Sequence, residues 1–221
     1  MPTAAPSNEI RSQRRAILAL LISFAALLVW SAIRPHDYFT WFLEIWPALV
    51  GIAVLAATYR RFRFTTFVYG LLWAHAVILL VGGHYTYALL PMGDWMRAFF
   101  HLARNDYDRI GHFAQGFVPA LVLREVFIRR QLVKRGWVPY VVISCCLAVS
   151  ALYELLEWRM AVMFGSGADA FLGTQGDPWD TQEDMATALV AACIAVLAFA
   201  PLHDRMIARI EGDATRAKPA S

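Results

Sequence analysis

Six runs of mostly apolar residues alternate with short polar segments along the chain: Ala16 to Ile33, Trp41 to Tyr59, Phe64 to Leu90, Gly111 to Phe127, Trp137 to Trp158 and Met185 to Leu202. A bilayer core about 30 Å thick needs about 20 such residues per helix, so each run has the length of a crossing. The pattern predicts an all-α, polytopic membrane bundle of about six transmembrane helices. The third run is long enough to tilt, or to pass beyond the headgroups near Gly82 and Gly83. Arg34-Pro35-His36 follows the first run where a signal-peptide cleavage pattern would stand, so that run is expected to remain as a helix.

The flanks are different. Residues 1–15 and 205–221 are polar and rich in Pro, Ala, Ser and Thr, and they read as solvated cytoplasmic tails around one transmembrane domain, residues 16–204. Two long connections, Pro91 to Ile110 and Arg159 to Asp184, face outward. The second contains Gly165, Gly167, Gly173 and Gly176, which suits a segment folding back over the bundle end.

Composition supports the membrane reading: of 221 residues 59% are hydrophobic and 17% charged. The net charge of +3 is spread over short arginine clusters, with no basic face for a nucleic-acid partner. Cys145, Cys146 and Cys193 lie in apolar runs without metal-ligand spacing and read as packing residues. Of the twenty Lys and Arg, fifteen fall on one set of alternating segments and five on the other. By the positive-inside rule the first set is cytoplasmic, and so are both termini.

Acids show the opposite bias, with twelve of seventeen on the outer side or at outer helix ends. Orientation depends weakly on acids, so they need another cause. Capping supplies part of it: Asp177 suits the cap of a helix beginning at Pro178, and Thr181 with Asp184 resembles a capping box. It does not explain Glu154 and Glu157 in "ALYELLEW", which share one helix face inside an apolar run. Charges there are costly and should turn toward partners. On the same level stand Asp108 and His112 in "DRIGHF", Asp180 and Asp184 at the start of the last run, and His84 with Tyr85 at the end of the third.

Blander readings exist for each. Asp108 and His112 could orient a helix start, and the glutamates could pair with Arg104, Arg109 or Arg159. Glu44 reads as an edge residue, His75 as a neutral histidine bonded to a neighbouring helix, and Glu125 as snorkelling or paired with Arg124 or Arg129. Several enzyme signatures are missing: "FGSG" at Phe164 to Gly167 lacks the first Gly of a serine-hydrolase elbow, and no HExxH, phosphate-binding Gly loop or DGxxAR occurs.

At "DRIGHF", "ELLEW" and "DTQEDMATALVAA" the chain resembles the YjdF-like bacterial inner-membrane family, with "GTQGDPWDTQEDM" (Gly173 to Met185) the most specific element. More distantly it is similar to VanZ-like proteins, whose pattern is an Asp with His four residues on, a later Glu-x-x-Gln, and an Asp opening the final helix. Asp108 and His112, Glu154 and Glu157, and Asp184 match these in turn, with Glu for Gln and with Ala186 to Ala188 where an Asn usually follows. The resemblance implies a multi-pass protein of the bacterial plasma membrane. VanZ-like proteins are associated with glycopeptide resistance at the cell envelope, and no reaction is carried over from them.

The expected site therefore comprises Asp108, His112, Glu154, Glu157, Asp180 and Asp184 on the outer face. His112 would act as acid, base or metal ligand, on an amphiphilic or lipid-like envelope substrate, with Mg²⁺, Mn²⁺ or Zn²⁺ as candidate ions in that order. A proton- or cation-coupled transporter and a structural polar cluster are the alternatives.

Overall fold

The computed structural model describes residues 8–165 and 175–216, and all its regular structure there is helical. In chain order the helices are α1 (Asn8–Ser31), α2 (Tyr38–Thr58), α3 (Thr66–Tyr85), α4 (Pro91–Phe100), α5 (Tyr107–Arg129), α6 (Val138–Phe164), α7 (Asp180–Leu197) and α8 (Ala200–Arg216). Short 3₁₀ turns at Tyr87–Leu89 and Arg135–Trp137 lead into α4 and α6. Local chemistry sets the starts. The Asp37 carboxylate accepts from Thr40 N at 2.7 Å, which holds its pKa below the ordinary value, and the Thr65 hydroxyl accepts from Val68 N at 3.3 Å. Pro91 opens α4, where a missing N–H costs nothing.

Helices α1, α2, α3 and α6 are each long and apolar enough to cross a bilayer, and α7 with α8 forms a fifth candidate bent by 58°. The remaining run, the fourth in the sequence (Gly111 to Phe127), is α5, which is richer in charge. Its 23 residues rise about 34 Å, and its two ends meet opposite ends of the bundle. Asp108 in its first turn pairs with Arg104, whereas Arg129 in its last turn donates to Arg63 O at 2.6 Å, in the arginine-rich α2–α3 loop. It therefore spans the full height between α3, α6 and α7. Its charges are tolerated because they face partners inside.

Two segments differ from the sequence reading. α4 lies in the expected outward connection as an amphipathic helix, and Met92, Trp95, Phe99 and Phe100 stand exposed on it, as suits a helix lying in the headgroup layer. Residues 200–216, expected mainly as a solvated tail, continue as helix α8, with Ile207 and His203 buried against the bundle. α1 likewise begins at Asn8, ahead of the apolar run.

The tightest packing is between α5 and α7. Ala188, Ala191, Ala192 and Ala195 are fully buried, and a Cβ built on Gly116 would lie 2.0 Å from Ala188 O. Small residues let two backbones approach in lipid, where no hydrophobic force drives helices together. Gly116→Val is expected to force α5 and α7 apart and cost about 1–3 kcal/mol. A drop in the detergent melting temperature would register it; an unchanged one would contradict this packing.

Candidate functional site

At the end of the bundle expected to face outward, α5 contributes Asp108, His112 and Gln115, α6 contributes Glu154 and Glu157, α7 contributes Asp180 and Asp184, and the loop before α5 contributes Arg104. All are buried except Gln115, which is half-buried. His112 Nε2 lies 3.7 Å from Glu154 Oε1 and 3.6 Å from Asp184 Oδ2. These separations are too long for hydrogen bonds. On the far side of the ring, Nδ1 meets Gln115 Oε1 at 3.1 Å. With that oxygen as acceptor, Nδ1 carries the proton and Nε2 turns a bare lone pair toward the two carboxylates. Among the described residues, Glu154 Oε1 and Asp184 Oδ1 are buried with no hydrogen-bond partner. The Tyr153 ring stands edge-on to His112, centroids 6.2 Å apart.

Beside this triad is a second one. Asp108, Asp180 and Asp184 place carboxylate oxygens within 4.8 Å of one another. A cation of the protein already serves it: the Arg104 guanidinium pairs with Asp108 Oδ2 at 3.1 Å and with Asp180 Oδ1, while its Nε donates to Asp106 Oδ1 at 3.0 Å. Burial opposes the Arg104 charge, but these carboxylates outweigh it and raise its pKa. Arg109 closes the rim, reaching Asp177 Oδ2 at 3.3 Å and pairing with Glu183.

The acidic stretch is fastened to this rim. Gln175 and Asn105 exchange two bonds, Gln175 Nε2 to Asn105 O at 2.8 Å and Asn105 N to Gln175 Oε1 at 3.2 Å. The expected caps are placed differently. α7 begins at Asp180 after Trp179, which caps with no side chain; Asp177 instead accepts from Trp179 N at 2.9 Å in the preceding turn. Asp184, buried at 2% exposure, faces His112 and not a helix-start N–H. Gly167 and Gly173 lie outside the described residues.

His112, Asp108, Glu154, Asp180 and Asp184 are thus brought together, while Glu157, one turn beyond Glu154, is buried without an ion pair among the described residues. It stands within electrostatic reach of Glu154 and Asp184, behind the triad. His84 is elsewhere, its Nδ1 at 3.1 Å from Ser31 O and its ring 4.4 Å from Trp30. Glu44 corrects an expectation. Read as an edge residue, it is 5% exposed because Gly83 of α3 lets its Cβ approach, and it lies within electrostatic reach of Asp108, Glu157 and Tyr153. Gln115 is not singled out by the sequence, although its three-residue spacing from His112 is a signal for it.

Residues 16–205 match the family model described as a predicted membrane protein, DUF2238. The chain belongs to this family. It is also similar to the inner membrane protein YjdF of Escherichia coli (strain K12), 46% identical over 189 residues that cover 85% of this chain and 90% of the relative. The family membership agrees with the multi-pass architecture, and with this relative the chain is a protein of the bacterial inner membrane. No solved structure matches it.

Proposed function

We propose that the outer end of the bundle is a divalent-cation site formed by His112, Glu154 and Asp184, acting on or binding an amphiphile of the envelope through its polar head. One observation carries the reading: three buried donors from three helices converge with unsatisfied atoms and no bond between them. Two donors about 2.1 Å from a shared tetrahedral ion lie about 3.4 Å apart, close to the 3.6 and 3.7 Å found here. Gln115 supports the set by fixing the imidazole from behind, as outer partners of metal-bound histidines do.

Arg104 already neutralises Asp108 and Asp180, so the ion would meet one imidazole and two carboxylates, not an all-oxygen cage. That donor set suits Mn²⁺ or Zn²⁺ better than Mg²⁺. Three protein ligands leave positions open for water or for a phosphate or carboxylate on the amphiphile. The bilayer around the bundle, and α4 with its exposed aromatic side chains, would hold the apolar part. A path to the cytoplasm, which a transporter requires, finds alanine packing along α7.

Elemental analysis of protein purified without chelator tests this, with about one ion per chain expected. Asp184→Asn and His112→Ala should each weaken rebinding of Mn²⁺ or Zn²⁺ at least about 10–100-fold while the helical circular dichroism is kept. Folded wild-type protein that neither retains an ion nor binds one at millimolar concentration would overturn the reading.

A further inference from the structure

The cytoplasmic end of the bundle carries a second, unrelated feature. A cavity of about 720 Å³ opens between the start of α1, the α2–α3 loop, the end of α5 and α8, and Arg60, Arg61, Arg63, Arg129 and Arg209 line it. No acidic residue lines it among the described residues. Arg129 is neutralised by Glu125 at 2.7 Å and also faces Glu211, which is not among the lining residues, at 3.8 Å. The other four make no ion pair among the described residues. Four like charges around one hollow repel each other unless an anion joins them.

The hollow is built, not loose. Gln13 Nε2 donates to Phe64 O at 3.0 Å, Arg129 to Arg63 O at 2.6 Å and Arg130 to Arg61 O at 2.8 Å, which fixes the course of the loop carrying three of the arginines. The Arg63 guanidinium rests over the Tyr59 ring, 5.0 Å from its centroid. Met206 and Ile210 of α8 form an apolar wall beside the charges. α8 itself is an amphipathic helix that turns 58° away from α7.

We infer that this cavity binds the phosphate headgroup of an anionic glycerophospholipid from the cytoplasmic leaflet. Guanidinium groups match phosphate oxygens through paired N–H donors. Basic pockets between helices on the cytoplasmic side are suited to anionic headgroups, and the apolar wall gives the glycerol and first methylenes a surface that a soluble anion would not use.

The test is native mass spectrometry of the full chain in detergent, titrated with phosphatidylglycerol, phosphatidylcholine or soluble glycerol 3-phosphate. Phosphatidylglycerol should bind about tenfold or more tightly than phosphatidylcholine, and each lost arginine should weaken it about fivefold, so Arg61→Gln/Arg209→Gln should weaken it about 25-fold. Equal binding of the two lipids overturns the inference. Glycerol 3-phosphate binding as tightly as phosphatidylglycerol overturns it in favour of a soluble-anion site, and an unaffected double variant overturns the location. Both residues are exposed and outside the packed core, and the wild-type lipid arms decide the matter even if that variant inserts poorly.

Discussion

Glu125→Ala is expected to destabilise the protein by about 3–5 kcal/mol, the range for removing one partner of a buried ion pair. The Glu125 side chain is fully buried and accepts four bonds: from Thr65 N at 2.9 Å, Thr65 Oγ1 at 2.8 Å, Arg129 at 2.7 Å and His203 Nε2 at 3.1 Å. Those donors come from the N-cap of α3, from α5 and from α8. His203 continues the network through Nδ1 to Arg124 at 3.3 Å, and Arg124 reaches Asp204 at 2.8 Å. Truncation takes the shared acceptor from Arg129 and leaves the buried His203 imidazole and the buried Thr65 N–H without it. Thermal unfolding in detergent should show a large fall in melting temperature for Glu125→Ala and a smaller one for Glu125→Gln, which keeps an acceptor. Equal, small shifts would show that the network holds little.

Arg104→Ala is expected to be comparably damaging, by about 3–5 kcal/mol, and to be rescued by divalent cations. Arg104 is the fixed counter-charge of Asp108, Asp180 and Asp106, and without it Asp108, Asp180 and Asp184 crowd their oxygens within 4.8 Å of one another. Like charges so close cannot all remain ionised. Millimolar Mg²⁺ or Mn²⁺ should take the guanidinium's place and restore much of the melting temperature, an effect that scales with concentration over dissociation constant. Absence of rescue, with destabilisation present, would mean that the three carboxylates cannot adopt a ligand geometry.

Most of the architecture was legible because the bilayer imposes its own length and polarity on the chain. Runs such as Trp41 to Tyr59 could be bounded from composition. Half of the site was legible for the same reason: a glutamate in "ALYELLEW" stands out against its apolar neighbours, and His112 and Asp184 begin runs on the same side. What remained hidden depended on pairing. Arg104 was a possible partner for the glutamates, but distance assigns it to Asp108 and Asp180. α4 and α8 escaped because an amphipathic helix has only one apolar stripe and reads as polar when averaged over a window. Glu44 looked like an edge residue because nothing in its own run signals that Gly83, on another helix, leaves room for it.

The way α1 and α2 rest principally on α3, with α5 to α7 gathered on its other side, bears on how the protein is made. The first two helices leave the ribosome with little to hold each other and must wait in lipid until α3 arrives between them. Only α3 then offers the surface on which the later helices settle, so the polar end that holds His112 is completed last, when α7 is threaded in.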